Sequence, residues 1–188
     1  MEIPRGKDAK TYQQRAALEA AAFTHFECAE LRPYKLAFET AIESGVKVPC
    51  PSCGLAGVKD GACAHMTCPR CDTLWCYLCG LDVKDCDKPQ GTDPNSIYQH
   101  NVDWETNPRR CPMWLDQVNR VDSRWPADAD GAVAKLSQIR TLRNLQVVVN
   151  ELGPDMMRRL KAKYSSVRNT GYDLDRLGQA DVRLIVRN

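Results

Sequence analysis

Nine of the ten cysteines in this chain fall between Cys50 and Cys111, together with His65 and His100; only Cys28 and His25 lie earlier. Cysteines packed this densely mean either a disulfide framework or metal. Six of the nine form C-x-x-C pairs: Cys50/Cys53, Cys68/Cys71 and Cys76/Cys79. In such a pair the two thiolates make a knuckle that fits around one tetrahedral zinc ion. The opening MEIPRGKDAK lacks the apolar stretch of a secretory signal, and reducing compartments keep thiols free to bind metal. The expectation is therefore a cytoplasmic (intracellular) zinc protein. No run of about 18 apolar residues marks a membrane span. A net charge of +2 gives no strong basic field for nucleic acid. Arg109, Arg110, Arg140, Arg143, Arg158, Arg159, Lys161 and Lys163 are the residues from which a basic patch would have to be built, and charged helix faces are ordinarily just solvated.

Ligand counting sets the framework. The first two pairs can close one four-cysteine site. The third pair needs two more ligands downstream, where Cys86, His100 and Cys111 compete. His100 is the only imidazole there, which favours keeping it and leaving out Cys86 or Cys111. A sequential arrangement, with sites stacked along the chain, leaves Cys63 free; a cross-braced one would take Cys63 or His65 as a ligand. A free Cys63 has His65 two residues on, an imidazole able to take a proton from the thiol or from an incoming amine. Residue chemistry alone leaves two readings of Cys63 open: a nucleophile beside a base, or an inert thiol.

The flanks read as helix. Asp8 to about Arg32 is rich in helix formers, with Leu18, Ala22 and Phe26 on one apolar face. Pro33 should end or kink it. A second helix is expected over 34–43 with Leu36, Phe38 and Ile42 partly buried, stopping at Gly45. Cys28 reads as a small buried hydrophobe rather than a ligand. From Val46 short pieces broken by Gly, Pro and Asp predict small strands and knuckle turns that need metal to fold, and 84–96 predicts a loop. Pro112 suits the first turn of a short helix holding Met113, Leu115 and Val118. A long amphipathic helix is expected over 131–152, carrying Leu136, Ile139, Leu142, Leu145 and Val149 and ending before Gly153-Pro154. Another follows from Asp155 to about Ser165. Leu184, Ile185 and Val186 suggest a short strand or a docked end. The fold class expected is a small α+β zinc module with two sequential zinc ions and short strands, flanked by α-helices. The segments are an N-terminal helical stretch (1–45), the two-zinc module (46–111) and a C-terminal helical extension (112–188).

The stretch CPSCG…KDGACAHMTCPRC…LWCYLCG resembles the catalytic module, the second RING-like unit, of the RING-between-RING ubiquitin ligases, the family of parkin and the Ariadne proteins. The likeness is tight over 49–80 and looser on to Cys111. It implies that Cys63 accepts ubiquitin as a thioester and that His65 is the general base. It also implies two structural zinc ions, the first held by Cys50, Cys53, Cys68 and Cys71, the second beginning with Cys76 and Cys79. For the last two ligands the Ariadne branch places His, then Trp four residues on, then Cys. His100, Trp104 and Cys111 look like that and are favoured; Cys86 and His100 would mimic the parkin branch. The partners implied are a ubiquitin-charged conjugating enzyme, ubiquitin and a substrate protein. Two departures stand out. The parkin branch has a glutamate just before its Trp, completing a triad, where this chain has Leu74, with Asp72 the acid nearby. Whole ligases carry two further zinc modules, and the residues before Cys50 hold too few ligands for either. The chain then reads either as a fragment of a longer protein or as a short form that meets a charged conjugating enzyme through another surface.

Overall fold

The computed structural model describes residues 7–59, 63–174 and 177. The zinc-module segment folds as three repeats of one local device. After each C-x-x-C pair the next residue takes a left-handed backbone: Gly54 (φ 73°), Asp72 (φ 56°) and Gly80 (φ 74°). That residue's N–H returns to the first cysteine's carbonyl, and the first cysteine's own N–H reaches the carbonyl five residues on. The bonds are Gly54 N to Cys50 O and Cys50 N to Leu55 O, Asp72 N to Cys68 O and Cys68 N to Thr73 O, Gly80 N to Cys76 O and Cys76 N to Leu81 O. Glycine reaches this conformation without steric cost and aspartate tolerates it. The knuckle is thus written into CPSCG, CPRCD and CYLCG.

Between the knuckles run two antiparallel strand pairs. β1 (Val48–Pro49) pairs with β2 (Ala56–Gly57), and β3 (His65–Thr67) pairs with β4 (Leu74–Cys76), with His65 opposite Cys76. These very short strands could not stand alone in water. They lean on a core of Trp75, Tyr77, Leu78, Val83 and Ile97, joined by Leu115, Val118, Trp125, Leu136 and Ile139 from beyond Cys111. The small α+β, two-cage architecture flanked by helices matches the sequence expectation.

The helices depart from expectation in instructive ways. α1 is one unbroken helix, Lys7–Val46, running through Pro33. Proline removes one intrahelical hydrogen bond, but the residues around it, Leu31, Tyr34, Phe38 and Ala41, are packed in a second core against α2, and that burial keeps the helix continuous. The stripe of Leu18 and Phe26 covers nothing among the described residues: the two are 70% and 77% exposed, because α2 meets only the C-terminal half of α1. Leu36, expected partly buried, is also exposed, whereas Phe38 is buried and Ile42 half-buried. Cys28 is half-buried.

α2 (Ala129–Lys163) starts two residues early because Asp128 caps it, its Oδ1 accepting from Gly131 N at 2.7 Å. It breaks at Gly153 (φ 72°) before Pro154 and resumes, so the two expected helices form one kinked element. α3 (Ser165–Arg168) follows. Ile97–Asn101 and Leu115–Arg120 are 3₁₀ helices, the latter beginning after Met113. α2 belongs to both cores: Leu136 and Ile139 sit under the zinc module and Leu145, Met157 and Leu160 sit on α1. Gly45 lets the layers touch, since a Cβ there would lie 2.6 Å from Thr141 Cα. Residues 184–186 lie outside the described residues. No helix among the described residues is long and apolar enough to cross a membrane.

Candidate metal centres and the Cys63 thiol

Among the described residues two groups of metal-ligating atoms converge, each with all four atoms within 4.8 Å of one another: Cys50, Cys53, Cys68, Cys71; and Cys76, Cys79, His100, Cys111. In the first, Cys50 and Cys71 sulfurs lie 3.8 Å apart and those of Cys53 and Cys68 3.5 Å. A tetrahedron on zinc–sulfur bonds of about 2.3 Å has edges of about 3.8 Å, so the donor set, its number and its spacing fit zinc. The knuckle after β1 supplies one half and the knuckle after β3 the other. A hydrogen bond with the Thr73 hydroxyl, 3.1 Å from the sulfur, pulls the Cys71 thiol down to about 6. Cys53 receives a favourable backbone N–H from Leu55, yet burial and the neighbouring sulfurs push it up to about 11. Four crowded sulfurs accept one negative charge readily and resist the second, a penalty that a divalent cation removes.

The second group is assembled over a longer stretch. The knuckle after β4 gives Cys76 and Cys79, the 3₁₀ turn gives His100, and Cys111 closes the cage. Cys79 Sγ and His100 Nε2 are 3.6 Å apart. His100 Nδ1 donates to the Asp87 carbonyl at 2.8 Å, which turns Nε2 toward the sulfurs. The Asp87 carboxylate in turn takes hydrogen bonds from Arg110 Nε (2.9 Å) and Asn107 Nδ2 (3.3 Å), holding the loop. Burial opposes charge on His100, but its bonds to the Cys76 and Cys79 sulfurs raise it to about 10. Hydrogen bonds from Cys111 and Cys76 draw Cys79 far below the ordinary thiol range, while Cys111, sharing with Cys76 and Cys79, is pushed far above it. This pocket too attracts a cation. Cys86, which competed for the last place, is buried with its sulfur 4.0 Å from that of Cys79 but stands outside the four-atom group. Both cages have four protein ligands and leave no open coordination position, the mark of a structural site.

Arg140 is a residue that sequence reading left among the solvated charges. It is buried, not on a basic face: its Nη2 donates to the carbonyls of Tyr77 (2.7 Å) and Leu78 (3.0 Å), and its guanidinium lies over the Tyr77 ring. Tyr77 and Leu78 are the two residues between Cys76 and Cys79, so α2 clamps the third knuckle, which belongs to the second cage, from behind. Zinc with three thiolates and an imidazole carries net negative charge, and the attraction of Arg140 to Cys76 and Cys111 matches that sign. Other members of the supposed patch are paired with acids: Arg110 with Asp87, Arg158 with Asp155, Arg159 with Glu30 and Lys163 with Glu27.

Cys63 belongs to neither cage and is half-buried. Its neighbour Ala64 is buried and pinned on both sides, its N–H donating to Met113 O (2.7 Å) and its carbonyl accepting from Tyr77 N (2.8 Å). That fixes the backbone between Cys63 and His65. Cys63 Sγ approaches the His65 carbonyl oxygen at 4.0 Å. The His65 ring is held elsewhere: Nε2 lies 2.7 Å from Asn101 Oδ1, and Tyr98 stacks edge-on at 4.9 Å. Burial lowers the His65 pKa, with the Asn101 hydrogen bond working the other way. Asp72 takes no part here; it is exposed and serves the knuckle turn. Asn101, Tyr98 and Met113 were missed by sequence reading. Their signal was faint: Asn101 follows a ligand and Met113 lies just past one.

No protein-family model matches the chain, and no solved structure does. Short stretches are similar to curated ubiquitin ligases. The chain is 46% identical over 39 residues to the zebrafish E3 ubiquitin-protein ligase RNF19B, covering 20% of this chain and 6% of that one. It is 44% identical over 36 residues to mouse parkin, also an E3 ubiquitin-protein ligase, covering 18% and 8%, and the rat protein matches equally. The chain thus spans less than a tenth of the length of these relatives. Two cages fit for zinc and a short, partial likeness to ubiquitin ligases together describe a zinc-binding module related to that class.

Proposed function

We propose that this chain is a ubiquitin transferase module working through a thioester on Cys63. The observation that carries the reading is the free thiol: eight ligands are used by the two cages, and of the two module cysteines outside them Cys86 is buried while Cys63 is half-buried, on a backbone pinned two residues from His65. The Cys63 thiolate attacks the carbonyl of a ubiquitin thioester on a conjugating enzyme. A new C–S bond forms, the old one breaks, and the enzyme's thiolate leaves. One thioester replaces another, so the step is near thermoneutral and the task is positioning. A substrate lysine amine then attacks: the C–N bond forms, the C–S bond to Cys63 breaks, and the amine's proton passes to the neutral His65 imidazole. Zinc, when bound, supplies only the fixed frame. In this reading 46–111 carries the chemistry, with helical segments 1–45 and 112–188 framing it. Its partners are a charged conjugating enzyme, ubiquitin and a substrate protein, in a reducing compartment.

The test is a single-turnover assay with charged conjugating enzyme and zinc-loaded protein. Wild type should form a reducible ubiquitin adduct, and Cys63→Ala should form none. Cys63→Ser should trap an ester that survives reductant and yields to hydroxide. Equal thioester formation by wild type and Cys63→Ala would remove the mechanism, and so would the absence of any adduct across a panel of conjugating enzymes.

A further inference from the structure

We propose that Asn101 is the positioning residue of this site, holding His65 as the Nε2–H tautomer so that Nδ1 is the atom free to take a proton. The assignment follows from donors and acceptors alone. The Cys111 carbonyl can only accept, so the Asn101 atom 2.8 Å from it is Nδ2. The other end of the amide is then Oδ1, which can only accept. The His65 nitrogen 2.7 Å from Oδ1 must therefore carry the hydrogen. A neutral imidazole has one N–H, so Nδ1 keeps its lone pair. The Tyr98 edge against the ring opposes a flip that would exchange the two sides.

The chain of contacts ties the base to the second cage. Asn101 follows the ligand His100, and the carbonyl that orients its amide belongs to the ligand Cys111. Closing that cage brings the two together and sets the amide, which sets the imidazole. Asparagine suits this place because it must donate to a carbonyl and accept from an N–H at once. Aspartate would keep the second bond but turn lone pairs on the Cys111 carbonyl. The role of Nδ1 as proton acceptor rests on the transfer reading above; the tautomer does not.

The experiment is long-range proton–nitrogen NMR of the zinc-loaded full chain carrying nitrogen-15 histidine, with the His65 signals identified by their loss in His65→Gln. Wild type should show a protonated Nε2 and a lone-pair nitrogen at Nδ1. Asn101→Ala should give a mixture of the two tautomers, and Asn101→Asp should keep the Nε2–H form, each checked for two bound zinc ions. In parallel, Asn101→Ala should discharge Cys63 to free lysine about 3-fold to 10-fold more slowly, in kcat rather than KM, because only part of the His65 population then keeps Nδ1 free and in place, whereas His65→Gln, which removes the base, should lose on the order of 100-fold. A wild-type His65 protonated on Nδ1 would overturn the proposal. So would an unchanged tautomer in Asn101→Ala, whatever happens to the rate. A tautomer that shifts as expected in a protein that never forms the Cys63 adduct would leave Asn101 in its role and sink the transfer reading instead.

Discussion

The two metal cages differ in how they are closed. The first is local: two knuckles with a strand pair each bring Cys50, Cys53, Cys68 and Cys71 together, and two of its sulfurs stay half-buried. The second is tertiary. It reaches from Cys76 to Cys111, three of its four ligands are buried, and it leans on Asp87, Asn101 and Arg140, each from a different part of the chain. Local turns can form around an ion by themselves. A cage built this way from distant segments forms only when the whole core forms. The first cage should therefore fail locally, and the second should take the core and the Cys63 site with it.

The largest effect expected is from removing one ligand from each cage in turn. Structural zinc in small modules supplies about 10–16 kcal/mol of binding free energy, comparable to or above the whole stability of an ordinary domain. Cys111→Ser should lose one zinc ion and, with it, most of the near-ultraviolet tryptophan signal, since Trp75 and Trp125 share one core with the buried Cys76 and Cys111, a core that also holds Cys50 and Cys68 but only borders on the half-buried Cys71. Cys71→Ser should also lose one ion but keep most of that signal and the second zinc. Equal collapse of both variants would erase the distinction between a local and a tertiary cage.

Next in size is Arg140→Met. It removes the donor from two buried carbonyls, each costing about 1–3 kcal/mol when orphaned. It also takes away the buried cation beside the Cys76 and Cys111 sulfurs. We expect a loss of roughly 3 kcal/mol in denaturant unfolding, from the two orphaned acceptors. Chelator should strip the second zinc faster while the first leaves at its wild-type rate. Faster loss of the first ion only would mean that α2 does not support the second cage.

The difference between the cages also explains what could be read from the sequence. The knuckles, both C-x-x-C halves of the first cage, and the strand–turn texture between them follow from neighbours in sequence, and CPSCG, CPRCD and CYLCG each carry their own turn. His100 and Cys111 were favoured for the second cage, but their competitor Cys86 was separated from them only by the fold, which leaves its sulfur beside Cys79 and outside the four-atom group. Arg140 looked like a surface charge because helical spacing cannot say that a zinc knuckle lies on top of it. Asn101 carried only the faint mark of following a ligand; its partners, Cys111 O and His65 Nε2, are distant in sequence. Pro33 and the Leu18–Phe26 stripe misled for one reason. Propensity and periodicity describe a helix by itself, and only α2 decides which half of α1 is buried.

A smaller effect, and a sharper one, should come from Gly45→Ala. The added Cβ would press on the backbone of Thr141, next to Arg140. Overpacking of this kind costs about 1–3 kcal/mol. If α2 transmits its position to the second cage, zinc loss from that cage should quicken modestly along with the drop in thermal midpoint, and the first cage should not respond. A lower midpoint with both release rates unchanged would confine the strain to the helical layer.

The smallest effect closes the series as its control. Arg159 pairs with Glu30 across α1 and α2 on the exposed side, at 2.7 and 3.0 Å. Solvent screens such pairs, and holding two long side chains in one geometry cancels much of what remains. Glu30→Gln should leave the midpoint, both zinc release rates and Cys63 alkylation within error of wild type, with any residual difference vanishing in high salt. A clear loss of second-cage zinc in this variant would mean that surface charge, rather than the buried contacts of Leu31, Phe38 and Leu145, sets where α2 sits. The dependence of the second cage on tertiary structure would then have to be traced through the helix surface instead of the core.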